Sequence, residues 1–143
     1  KHNVDVVSPL MFMRNYPHHP VIYRIKEGFD HQLHQEYWKT EIVDDYPPDQ
    51  LLKVDGTGMG ITLIKVSALE KIEKPWFMNT AGTGEDVYFT QKATQAGLGV
   101  YVDTSIHDVV HLGGRIFVDE AYYLKKKAEA DAGIVYSGRE TRG

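Results

Sequence analysis

Apolar positions along this chain fall into short runs separated by segments with helical spacing. Residues 4–7, with three valines, read as a short buried strand that Ser8-Pro9 brings to an end. Residues 51–54 predict a second strand, residues 61–66 a third of high β-propensity, and residues 99–103 a fourth. Helical signals lie between them. Ser67-Ala68-Leu69-Glu70 has the spacing of a capping box, which predicts a short helix starting at Ser67 and stopping before Pro75. Thr83-Gly84-Glu85-Asp86 repeats the signal ahead of Phe89, Ala93 and Ala96, which share one helical face, and Gly97 suits the position after the last turn. Residues 119–132 predict a further helix with Lys125, Lys126 and Lys127 exposed. Residues 11–48 lack periodicity and hold Pro17, Pro20, Pro47 and Pro48, so they predict a long irregular segment with a short helical stretch over 31–39. The alternation of strand, helix and strand predicts an α/β fold.

Composition narrows the classes. With 143 residues, 42% of them hydrophobic, the chain has the apolar material for one domain or a large part of one. The 16 basic and 20 acidic residues leave a net charge of −4, so no general attraction to nucleic acid or anionic membrane is expected. The absence of cysteine excludes disulfides, a thiolate nucleophile and Cys-ligated zinc, and leaves the compartment open, with the cytoplasm as the default. No apolar run approaches the roughly 20 residues of a membrane span, and the start, Lys1-His2-Asn3-Val4-Asp5, has no signal-peptide pattern. An apolar strand so close to Lys1 is an abrupt beginning, from which further residues upstream are expected.

The ordered set of motifs from Val54 to Gly113 carries a resemblance. Asp55-Gly56-Thr57-Gly58-Met59-Gly60, Ser67-Ala68-Leu69-Glu70-Lys71-Ile72, Pro75-Trp76-Phe77, Gly84-Glu85-Asp86-Val87-Tyr88-Phe89, residues 96–103, and His111-Leu112-Gly113 together resemble the C-terminal half of family 2-like glycosyltransferases. The resemblance implies a GT-A fold, with a mixed sheet flanked by helices. It also implies a nucleotide-diphosphate sugar donor, a carbohydrate or other hydroxyl acceptor, and a divalent metal, manganese or magnesium. It places a general base at Asp86, a metal ligand at His111, and pocket-lining roles at Gly58, Met59, Gly60 and Gly84. On this reading residues 1–143 are a single domain or a domain fragment, the acceptor-side half, with the nucleotide-binding half upstream. One departure is plain: the family's Asp-x-Asp does not occur anywhere in the chain.

The residues themselves leave alternatives beside each role. Asp86 falls in the first turn of its helix, where the helix dipole favours a carboxylate, as an acceptor-activating base requires. Glu85 and Asp86 also read as simple helix caps, and since neighbours point about 100° apart, one can cap while the other serves a site. His111 can offer a neutral imidazole to a metal, with His107 as its competitor. His31 and His34 have the i, i+3 spacing of a metal pair, and His18-His19 read the same way, but a solvated face accounts for both. The glycines at 56, 58 and 60 are followed by no Lys-Ser/Thr helix, so they are no P-loop and mark a tight turn or close backbone approach. Trp76 and Phe77 suit either stacking on a sugar or a core. Arg115 and the lysines at 125–127 suit either a diphosphate or solvent.

The expectation is a metal-dependent, inverting glycosyltransferase. The alternative is a truncated, non-catalytic module that binds carbohydrate or protein; a metal hydrolase built on the histidine pairs has only spacing behind it.

Overall fold

The structure, a computed structural model, describes residues 2–30, 35–80, 83–113 and 116–134. Its centre is a mixed sheet of four strands in the order β4-β7-β1-β6. Here β1 is Val6–Pro9, β4 Leu51–Val54, β6 Leu63–Ile64 and β7 Val100–Asp103. β1 and β7 run parallel, with Val6 opposite Val100 and Pro9 opposite Asp103, while β4 and β6 are antiparallel to their neighbours. A parallel pair needs a crossover on one face of the sheet, and helix α2 (Glu85–Gln95) lies in that crossover. Its Phe89 and Ala93 are fully buried in one cluster with Val6, Val54, Val100 and Val102. Mixed α/β architecture is what the alternating pattern predicts.

The helices keep their places but not their predicted caps. The first, α1, is Val66–Leu69, begins one residue early at Val66 and has at its N-cap, Lys65, no side-chain cap, so Ser67 lies inside it and the expected capping box does not form. For α2 the cap is Gly84, not Thr83: Thr80 and Thr83 exchange backbone hydrogen bonds, which turns Thr83 away from the helix. Asn79 Oδ1 instead accepts from the Glu85 amide at 3.1 Å. The third, α3, is Glu120–Asp131, as predicted, and Asp119 caps it by accepting from the Tyr122 amide at 2.8 Å. Lys126 departs from the expected exposed face. It is buried, with its ammonium 5.5 Å from the Tyr122 ring centre and 3.5 Å from Glu129.

The largest correction concerns residues 11–48. Two long strands, β2 (Ile22–Asp30) and β3 (Gln35–Ile42), form an antiparallel hairpin in register from Tyr23↔Ile42 to Asp30↔Gln35. The expected helix over 31–39 therefore does not form in its described part. Tyr37, Trp38, Thr40 and Ile42 are strand formers, and pairing with β2 supplies their backbone hydrogen bonds. β2 also pairs with β5 (Gly56–Thr57), closing a second sheet of order β3-β2-β5. Of the strand expected over 61–66 only β6 forms. A small pair, β8 (His111–Gly113) and β9 (Ile116–Val118), completes the chain before α3.

At the end of β7, Asp103 is 2% exposed and well bonded. It accepts from Ser105 Oγ at 2.5 Å, from the Ser105 amide at 3.0 Å and from His2 Nε2 at 2.6 Å. The Ser105 hydroxyl first, and His2 after it, hold the carboxyl below its ordinary range. A depressed carboxyl contributes stability above its unfolded value, and that contribution drains away as pH falls through the folded value. Asp103→Asn is therefore expected to cost roughly 1–3 kcal/mol at pH 7 and to flatten the loss of stability below about pH 4. Urea unfolding across pH reads both, and an unchanged acid limb in the variant would remove Asp103 from that role.

Candidate functional site

Two glycines on β5 and the turn after it determine how close α2 comes to the second sheet. A Cβ at Gly56 would stand 3.2 Å from Thr90 Oγ1 and 3.4 Å from both Tyr23 Cβ and Ile25 Cδ1. At Gly58 it would stand 2.9 Å from Val21 Cγ1, 3.7 Å from Asp86 Oδ2 and 3.8 Å from Met11 Cε. The first value is closer than real carbons approach, so position 58 has no room for a side chain. Asp86 and Thr90 are one helical turn apart and share a face. That face rests on the glycine strip, among Val21, Tyr23, Ile25 and Met11.

Asp86 is half-buried at the mouth of α2. Its Oδ1 accepts from the Val87 amide at 2.7 Å, and Oδ2 is the oxygen that faces Gly58. Gly84 lies on the other flank, where a Cβ would meet Asp86 Oδ1 at 3.0 Å. Burial, and then the Asp86 charge, raise the Tyr23 phenol above its ordinary value. An anion close by opposes formation of a phenolate, so Tyr23 remains an O–H donor through the neutral range. Three residues expected at the site, Asp86, Gly58 and Gly84, thus come together.

The others are distributed around them. Glu85 is exposed, and its backbone bond to Asn79 helps to start the helix. Met59 is half-buried against the core, and Gly60 is exposed, its Cβ position 3.3 Å from Met11 Sδ. Trp76 packs on the core, donates from its indole to the Ile72 carbonyl at 3.0 Å and has Lys74 4.8 Å from its ring centre. Phe77 stacks on Phe89 at 4.8 Å. Arg115, His31 and His34 lie outside the described residues. His18 is buried with Nδ1 on the Met13 carbonyl at 3.1 Å, and His19 pairs with Asp44 at 2.7 Å, so both are engaged in the fold.

His111, on β8, is exposed, with Nδ1 3.0 Å from the Phe12 carbonyl. A carbonyl only accepts, so Nδ1 carries the proton, and in the neutral ring Nε2 holds the lone pair. That is how metal-ligating histidines are usually oriented. Phe12 follows Met11, whose thioether reaches Gly58 and Gly60, so His111 is tied to the segment that borders Asp86. His107 instead stands 3.6 Å from Glu120 and 3.7 Å from Asp108. Among the described residues no group of three or more His, Asp or Glu is arranged to hold a metal ion.

Tyr23 and Met11 carry no sequence signal that marks them for this site. Val21, Tyr23 and Ile25 alternate, which is a strand signal, but it is short, directly after Pro20 and before a polar run.

A cavity of about 610 Å³ lies elsewhere, between β1, β6 and the loop after β7, and includes Ser8, Ile61, Leu63 and Ile106 in its walls. No residue around Asp86 borders it. Among the described residues no helix is long and apolar enough to cross a membrane.

No known protein family matches the chain, and no curated protein does. Among solved structures it is similar to one titled "Crystal Structure of A197 from STIV", at 23% identity and a TM-score of 0.48, over 82% of this chain and 52% of that one. The chain spans about half the length of that protein.

Proposed function

We propose that this chain is the acceptor-side half of a glycosyltransferase, in which Asp86 takes the proton from an acceptor hydroxyl. One observation carries the reading: a half-buried carboxylate sits in the first turn of a helix, its Oδ2 facing a glycine whose Cβ position would stand 3.7 Å away. In the proposed step the acceptor O–H proton passes to Asp86 as the acceptor oxygen bonds to the sugar's anomeric carbon. The bond from that carbon to the diphosphate breaks on the opposite side, and its electron pair leaves with the nucleoside diphosphate. The result is inversion. A divalent manganese or magnesium ion, when bound, would offset charge on the departing diphosphate. His111 Nε2 is this chain's contribution to holding it.

The donor-binding half is proposed to lie upstream, since the sequence has no Asp-x-Asp. The central sheet gives such a half an edge to join. Among the described residues β6 pairs with β1 alone, and beside it Leu63 is 74% and Val66 72% exposed, next to the apolar cavity. Exposed aliphatics on an open edge are a liability that proteins usually cover. A second reading, a non-catalytic module that binds carbohydrate or protein, draws support from the same missing motif.

The test is release of nucleoside diphosphate by the intact protein from a nucleotide sugar plus a hydroxyl acceptor. No release with any donor would leave the binding module. In an active protein, His111→Ala is expected to raise the manganese concentration for half-maximal rate at least about tenfold, since losing even an outer-shell partner of a ligand costs that much. An unchanged titration would clear His111.

A further inference from the structure

We propose that Tyr23 is the hydrogen-bond donor that holds the ligand hydroxyl facing Asp86, so that phenol and carboxylate grip one neutral hydroxyl group from two sides. The inference rests on the transferase reading and names a residue that reading did not contain. Its basis is the register of β2 on β5. Tyr23 pairs with Gly56, and its Cβ lies 3.4 Å from that glycine's Cβ position. Asp86 Oδ2 lies 3.7 Å from the Cβ position of Gly58, two residues on. Two residues of extended chain span about 7 Å, so the side chains rise from neighbouring points on one glycine strip.

The two groups sense each other without bonding. The Asp86 charge acts on the Tyr23 phenol, yet no hydrogen bond joins them, and the bonds Asp86 does make are to the Val87 amide and, through its carbonyl, to Thr90. A carboxylate only accepts, and a phenol kept protonated donates. A ligand group that engages both must donate to Asp86 and accept from Tyr23. A sugar or polyol hydroxyl does both. A phosphate or carboxylate ligand would be repelled by Asp86, and an ammonium would leave the phenol proton without an acceptor.

Two measurements on the intact protein test this. In the first, ¹³C-labelled tyrosine is titrated by NMR, with Tyr23 assigned by its loss in Tyr23→Phe. Asp86→Asn is expected to move the Tyr23 ionisation to lower pH, because the opposing charge is gone. No downward movement overturns the side-by-side placement. In the second, Tyr23→Phe is expected to raise the acceptor KM roughly three- to tenfold, the loss of one neutral hydrogen bond. The donor KM and kcat should change less than about twofold. A merely structural role would shift all three together, and that pattern, or an unchanged acceptor KM in a protein that transfers sugar, overturns the grip. Coupling seen in a protein that transfers nothing sinks the transferase reading, and the hydroxyl grip with it.

Discussion

Asp86→Asn in the intact protein is expected to slow sugar transfer by about 10²–10⁴-fold, the usual contribution of a positioned base, while donor affinity stays within about twofold. The substitution keeps the shape of the side chain. An amide oxygen can still accept from the Val87 N–H, and Asn is tolerated in the first turn of a helix, so α2 should form as before. What is lost, on the proposed reading, is the group that can carry away the acceptor proton. The amide also leaves no charge for the helix dipole to stabilise. Transition-state loss without ground-state loss is read as a fall in kcat with little change in donor binding. Steady-state kinetics together with calorimetric donor binding separate the two. Normal turnover in the variant would remove Asp86 as the base. Equal loss of donor binding would make it a binding residue.

How far the sequence reached depended on the range of the interactions involved. Strands β4 and β7 and helix α2 were legible because each carries its own local signal: short runs with apolar residues for the strands, and a first-turn acid with a final glycine for α2. Gly97 takes φ +75°, as its place after the last turn of α2 required. The β2–β3 hairpin was not legible, because its stability comes from cross-strand pairing and its polar strands have no strong apolar alternation. The caps failed for the same reason. Ser67 and Thr83 have the right spacing, but the chain preceding each helix is held by other contacts, Thr80 with Thr83 in the second case.

The candidate site divides in the same way. Asp86 and Gly84 are visible because their meaning is local to one helix start. Gly58 was noticed as a tight turn or close backbone approach, and the structure shows what approaches: Val21 from one side and Asp86 from the other. Tyr23 is 63 residues away from Asp86 in the chain, and only the β2–β5 pairing brings it near. Trp76 illustrates the limit of composition. An indole near a sugar site suggests stacking, yet its N–H is used by the Ile72 carbonyl and Lys74 lies by its ring.

Position 89 links packing to the site, and Phe89→Ala should lower stability by about 3–5 kcal/mol, the usual cost of emptying a buried phenylalanine site. Phe89 is fully buried, belongs to the cluster that joins α2 to the central sheet, and stacks on Phe77 at 4.8 Å. Phe77 is itself 45% exposed, so its ring cannot replace the lost contacts from the solvent side. Phe89 lies three residues after Asp86, on the turn that sets the depth of the helix over Gly56 and Gly58. Loosening it lets the first turn of α2 rise from the glycine strip, so activity in the surviving folded fraction should also fall. Phe89→Leu keeps most of the apolar volume and should cost clearly less, which separates a packing effect from a special need for an aromatic ring. Urea unfolding of the three proteins measures this. A loss below about 1 kcal/mol for the alanine variant would mean that α2 is not seated on the sheet through Phe89, and the depth at which Asp86 is held would then need another cause.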